Sequence, residues 1–335
     1  MLRAMDSAVA GLRAHQNKMD VVGHNLANVN TFGFKAQTYS FKEAMYQTSA
    51  ASTGGSDNAG GSNAAQFGYG TLMGTIGMDM TASTPSQVSG LNACINGEGF
   101  FVTCATKGAV SNLTSNPADD GTASFKGQRD WDYTRVGQFL IDSKGYLVDG
   151  NNNFVYGFLP DATKDNGFDT ANLVPLRVPT AIDENGKPEY SNKAGGTFDG
   201  KEAAALLATS VEINKLGEIT ATVTAKDNST PPKETTYPGI SLGKVAVVTF
   251  QNPNGLTKGG GCYYKATDSD NTGAVEVKIA GGDVAELMPG YIEASNVDLA
   301  KEFADMITTH RGFQANSKMI TVSDEMLSDL VSMKR

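Results

Sequence analysis

The chain has 335 residues, 40% of them hydrophobic and 19% charged, which is enough for two or three packed domains and excludes a disordered chain. Its net charge of −9 repels phosphate backbones and argues against nucleic acid as a partner. The terminal segments 1–30 and 295–335 are each near neutral and the interior holds the acid, so the ends suit close packing and the middle suits a solvated surface.

The first element reads as a helix. Leu2, Met5, Val9, Leu12, Met19 and Leu26 recur at spacings of three and four, with Gln16 and Gly23 filling the missing rungs. This is a narrow apolar seam of heptad type. It gives way at Asn25 to Asn30, where the amides of Asn25, Asn28 and Asn30 are suited to bonding backbone groups at a helix end. Thr31-Phe32-Gly33-Phe34 then reads as a turn, with Gly33 and Phe34 completing the junction. Residues 31–75 read as a connecting segment, and the small, polar run 48–65 within it reads as a flexible linker. No opening apolar run of the secretory kind and no stretch of 18 apolar residues occurs, so neither a cleaved signal nor a membrane-spanning helix is expected.

The middle has β texture. Gly97-Glu98-Gly99 followed by Phe100-Phe101-Val102 reads as a hairpin. Phe139-Leu140-Ile141 and Tyr146-Leu147-Val148 flank the four-residue loop Asp142–Gly145, and Val211–Ile213 and Ile219–Val223 flank a turn at Gly217. Val245–Phe250 is a strand closed by Asn252-Pro253-Asn254-Gly255. A main β-domain is therefore expected over 76–160 with 209–294, and a small inserted outer β-domain over 161–208, where polar turns dominate.

The closing segment reads as the second helix. Leu299, Phe303, Met306, Phe313, Ile320, Leu327 and Val331 fall on one ladder, with His310, Ser317 and Asp324 on the remaining rungs. Ser295 or Asn296 is the expected N-cap, with Asp298 in the first turn. About 35 residues make a rod of roughly 50 Å. So long a helix with one thin stripe needs a partner. The fold class is thus α+β, with the terminal helices (1–30 with 295–335) pairing as a coiled coil and all-β, barrel- or sandwich-like outer domains.

Catalytic chemistry finds no support. His15, His24 and His310 all lie in the helical ends without metal-ligand spacing. No GxSxG, HExxH or P-loop occurs, and Asp119-Asp120 and Asp268 with Asp270 lack the full set of calcium-loop positions. Cys94, Cys104 and Cys262 form neither a disulfide framework nor a CxxC pair. No catalytic, cofactor-binding or metal residue is assigned, and no cofactor is expected.

The residues VVGHNLANVNTFGFK at 21–35 resemble the asparagine-rich signature of flagellar rod and hook proteins, with His24 in place of its first asparagine. SNVDLAKEFADMITTHRGFQANSKMITVSDEML at 295–327 is similar to the closing helix of that family, with His310 in place of a glutamine. INGEGFFV at 95–102, YTRVGQFLIDSKGYLVDGNNNFVYGF at 133–158 and VAVVTFQNPNGL at 245–256 resemble its middle. The segment near 80–95 is looser than the family pattern. The resemblance implies a structural, non-enzymatic subunit that self-assembles into a helical homopolymer outside the cell.

An inserted outer domain points within the family to the hook, a flexible universal joint passing motor torque to the filament, with the distal rod of the basal body as the alternative. The implied partners are further copies of the chain, rod and hook–filament junction proteins, the hook cap, and the flagellar export apparatus with its chaperones, without membrane insertion. A reading of another class is a secreted β-rich adhesin with helical tails. It would bind a ligand and never form tubes.

Overall fold

The seven-residue repeats at the two ends do fold as helices, α1 over Leu2–Ala27 and a 35-residue α3 over Leu299–Met333. The computed structural model describes residues 2–55, 60–111, 113, 125–161, 167–182, 188–190, 206–226, 234–281 and 285–333. They form two units. One comprises Met1–Asn30, Lys35–Asp79 and Asn296–Arg335, the other Thr31–Phe34 with Met80–Ser295.

In the first unit, α3 starts differently from the sequence reading. Asp298, not Ser295 or Asn296, caps it: Asp298 Oδ1 accepts from the N–H groups of Ala300 at 2.9 Å and Lys301 at 3.3 Å. Asn296 has another task. Its amide accepts from Ala36 N–H at 2.7 Å and donates to Asp79 O at 2.9 Å, stapling the two ends of the segment between the helices.

That segment, read from the sequence as a linker, is a two-stranded ribbon over its described residues. Strand β1 (Gln37–Glu43) pairs antiparallel with β4 (Thr71–Met78), and β2 (Tyr46–Ala50) with β3 (Ala65–Gly68). The Thr53–Ser62 bridge continues the pairing into the polar run; residues 56–59 lie outside the described residues. Alternation explains the strands: Tyr39 pairs with Ile76 and Phe41 with Met73, which gives one apolar face. The rings of Tyr39 and Phe41 meet edge-on at 5.2 Å, and Phe41 meets His15 of α1 at 5.3 Å.

The second unit is built on one long strand, β17 (Glu234–Phe250). Its first half pairs with β16 (Glu218–Lys226), itself in the expected hairpin with β15 (Leu207–Ile213). Its second half pairs with β7 (Phe100–Cys104), β11 (Phe154–Phe158) and β20 (Val275–Ile279). The expected hairpin of β9 (Phe139–Ile141) and β10 (Leu147–Asp149) also forms, closed by Gly145 N–H to Asp142 O at 2.8 Å. Phe101, Leu147, Val155, Leu242, Val245 and Val247 are fully buried at its centre.

Two expectations are corrected here. Gly97–Gly99 does not close a hairpin: the strand before it, β6 (Ala93–Asn96), pairs with β21 (Glu286–Pro289), while β7 enters the large sheet beside β8 (Asp132–Thr134). Nor is all of 161–208 an outer insertion. Leu176 and Val178 join the main core, and β12 (Val174–Pro175) pairs with β11, because this stretch carries the apolar residues Leu173, Val174, Leu176 and Val178. Residues 162–166, 183–187 and 191–205, the remainder of that assignment, lie outside the described residues, as do Asp119 and Asp120.

Candidate functional site

The helix pair is the feature with unmet surface. α1 and α3 run antiparallel, and the side chains between them are small or polar. A Cβ on Gly11 would lie 2.7 Å from the Asn316 amide, and one on Gly312 would lie 2.6 Å from the His15 ring. Glycine at both positions is thus what allows the backbones to approach. Lys18 pairs with Asp305 at 3.0 Å, and Asn25 donates to Glu302 at 3.0 Å. The facing lane is therefore Ala8, Gly11, His15, Lys18, Val22 and Asn25 on α1. On α3 it is Glu302, Asp305, Thr309, Gly312, Asn316 and Ser323.

This lane is imperfectly satisfied. His15 Nδ1 and Thr309 Oγ1 are buried with no hydrogen-bond partner among the described residues, and each such atom costs about 1–3 kcal/mol. Burial, and next the nearby Lys18 charge, push the His15 imidazole below its ordinary range. Burial pushes the Glu302 carboxyl up, opposed by its bond from Asn25. The half-exposed Lys18–Asp305 pair contributes little, about 0–1 kcal/mol.

The apolar ladders do not fill the lane. They lie one residue beyond it on both helices: Val9 follows Ala8, Leu12 follows Gly11, Phe303 follows Glu302 and Phe313 follows Gly312. One residue turns a helix by about 100°. Because the helices are antiparallel, that step is clockwise on one and anticlockwise on the other when both are viewed from one end. Both ladders thus face the same side of the pair. Val9, Leu299, Phe303 and Val331 are exposed, Phe303 by 49% and Val331 by 70%, while Met5, Leu12, Met19, Leu26, Met306, Phe313, Ile320 and Leu327 are half-buried. Leu2 opens α1. Gly70 and Phe67 of the ribbon approach α1 at Ser7 and Arg3, a different flank.

The junction residues divide between the units. In the first, Asn25 closes both backbone groups of Gln37, donating to its O at 2.8 Å and accepting from its N–H at 2.9 Å. Asn28 caps the end of α1 through His24 O at 2.9 Å, and Asn30 is exposed. In the second unit, Gly33 has φ +68° and donates to Glu293 O at 2.8 Å, with Val136 where a Cβ would stand. Phe34 is buried under the Lys258 ammonium, 4.6 Å from its ring.

The sequence reading missed the groups that Gly33 docks beside. The Glu293 carboxylate accepts from Arg135 at 2.7 Å and from Ser83 N–H at 3.0 Å, and the Arg135–Glu293 pair is buried. A single acidic residue beside Tyr291 and Ile292 carries no sequence signal of such a partner. Asp270 is occupied by Lys126 and Thr272. The described residues hold no group of three or more His, Cys, Asp or Glu placed to bind a metal. Cys94, Cys104 and Cys262 form no disulfide among the described residues. No helix of the described residues is long and apolar enough to cross a membrane.

Comparison with known proteins matches both ends of the chain. Residues 5–35 fit the family described as flagella basal body rod protein, and residues 288–333 fit the C-terminal region of the flagellar basal body rod FlgEFG proteins. The chain is 31% identical to the flagellar basal-body rod protein FlgG of Bacillus subtilis over 341 positions covering all of both chains. It is 25% identical to the flagellar hook protein FlgE of Borreliella burgdorferi, again end to end, in an alignment of 467 positions. The flagellar hook protein FlgE of Treponema pallidum is 24% identical on the same terms.

Proposed function

The chain belongs to the family of flagellar rod and hook proteins and is a structural component of that apparatus, and from that premise we propose that it is the repeating subunit of the hook. In this reading it polymerises into a flexible tube that passes motor torque to the filament and has no catalytic role. Its partners are further copies of itself, the rod and hook–filament junction proteins, the hook cap, and the export apparatus with its chaperones. It works outside the cell.

One observation carries the reading. The helices are already paired with each other, yet Val9, Leu299, Phe303 and Val331 of the two ladders stay exposed and the other described apolar rungs are only half-buried. Fully burying an exposed side chain of this kind is worth about 1.5–3 kcal/mol, so neighbours that cover the exposed rungs and complete the burial of the others offset the cost of ordering the ends. Coiled-coil packing of the ladders then belongs to contacts between subunits, because the contact within the chain uses the polar lane. Tubes need contacts that propagate, and a heterologous interface repeated without closure supplies that symmetry.

A second reading, the distal rod, is favoured by length. The hook alignments run to 467 and 466 positions, well beyond the 335 residues here, so those hook proteins carry insertions that this chain lacks. Electron microscopy of the purified chain grown from an axial seed tests both: curved tubes support the hook and straight ones the rod. Removing residues 1–28 or 300–335 is expected to leave folded β-domains that no longer polymerise. A truncated chain that still forms tubes refutes the assembly role of the helices.

A further inference from the structure

The helix lane holds an imidazole in a place that suits only its neutral form. The His15 ring lies against Gly312, where a Cβ would stand 2.6 Å from it, and meets Phe41 of β1 at 5.3 Å. His15 Nδ1 on α1, Thr309 Oγ1 on α3 and Tyr39 Oη on β1 are all buried without a hydrogen-bond partner among the described residues. The other titratable groups that these elements turn to the lane are Lys18, Glu302, Asp305 and Tyr39, and β4, which also packs on α1, carries none. Arg13, Asp20, His310, Arg311, Lys42 and Glu43 are exposed. Both acids of the lane are engaged, Asp305 with Lys18 at 3.0 Å and Glu302 with Asn25 at 3.0 Å. A proton on Nδ1 therefore meets no free carboxylate among the described residues of the lane, and a buried charge without such a partner is costly. The charge that reaches it, Lys18, repels it.

We infer that the helix pair within one chain is an acid-opened catch: neutral His15 keeps its outer half closed, and a proton on His15 releases that half while the half beside the junction stays shut. The outer half is residues 2–18 of α1 with 309–333 of α3. Two features set the direction of opening. Beside the junction, Asn25 ties α1 to Glu302 of α3 and to both backbone groups of Gln37. Beyond His15, no hydrogen bond or ion pair among the described residues crosses from α1 to α3, and the last polar tie on that side is Lys18 with Asp305. The shifts agree with this polarity. Burial and then Lys18 hold the imidazole below its ordinary range, so the closure it gives is lost as pH falls through that range. Burial pushes the Glu302 carboxyl up, so acid does not weaken the junction half. The catch is the same whether the chain serves hook or rod.

The test is residue-resolved amide exchange on the full-length chain at about pH 7 and about pH 5, compared as protection factors. Protection in the outer half is expected to fall a few-fold between the two, and that of residues 22–27 and 302–306 to change less than about twofold. His15→Gln should remove the fall. Thr309→Val takes away an orphaned hydroxyl and leaves the imidazole, so it should raise outer-half protection at both pH values and keep the fall. Where His15→Gln loosens the outer half at both pH values, Lys18→Gln decides: with the repelling charge gone and His15 in place, the fall should shrink. A fall that survives His15→Gln, one that Lys18→Gln leaves unchanged, or one shared equally by both halves overturns the catch. An outer half already unprotected at about pH 7 overturns it as well. None of these outcomes bears on whether the chain builds tubes, which seeded growth reads separately.

Discussion

The two units bury different kinds of surface. The second unit has a dry interior: Phe101 meets Phe139 edge-on at 5.2 Å, and Val245 and Val247 are fully buried where β17 pairs with β11 and β7. The first unit fully buries mainly alanine, valine and polar groups, among them Ala8, Ala14, Val22, Asn25, Glu302 and Thr309, while its large apolar residues on the helices are exposed or half-buried. A unit of the first kind holds itself together; a unit of the second kind leaves apolar surface that the proposed assembly would cover. The contrast teaches that burial inside one chain measures self-sufficiency rather than importance.

Truncation in the dry core breaks the contrast from one side. Phe101→Ala is expected to lower the stability of the second unit by about 3–5 kcal/mol, seen as a shift in its denaturant midpoint. A loss under about 1 kcal/mol means that the site collapses around the missing ring.

The same truncation on a ladder should behave oppositely. Phe303→Ala, at an exposed rung, is expected to leave the free chain within about 0.5 kcal/mol of wild type yet to raise the concentration needed for polymer growth about 10- to 150-fold, the equivalent of about 1.5–3 kcal/mol per contact. A large loss of free-chain stability would place this side chain in an internal core after all.

The smallest effect sharpens the comparison through pH. The His15 imidazole sits below its ordinary range in the folded chain, so the unfolded chain binds the proton more readily. Its contribution is present above that ordinary range and is lost as pH falls through it. Helix-pair amide protection should therefore drop a few-fold between about pH 7 and pH 5, and His15→Gln should remove that step. Glu302, pushed the other way, stabilises the pair as pH falls through the carboxylate range, at lower pH. A step that survives in His15→Gln assigns it to another group.

Much of this was legible in the sequence, for physical reasons that differ by element. A helix shows itself through period, so α1, α3 and both ladders could be read from the spacing of their apolar residues. The Asp142–Gly145 hairpin announced itself because glycine and aspartate sit where a tight loop needs them. The ribbon was hidden because the stretch where Thr53 bridges Ser62 is small and polar, and composition of that kind looks the same in a paired strand as in a linker. The core role of Leu176 and Val178 was hidden because their partners are remote in sequence.

The sequence by itself determined that each end is a helix with one apolar stripe, since that depends only on neighbours three and four residues away. Which stripe turns inward was decided by tertiary structure alone. Gly11 beside Asn316 and Gly312 beside His15 let the backbones approach along the polar lane, and that choice left both ladders on one flank of the contact. Side chains brought together from opposite termini set it, and no local pattern records them.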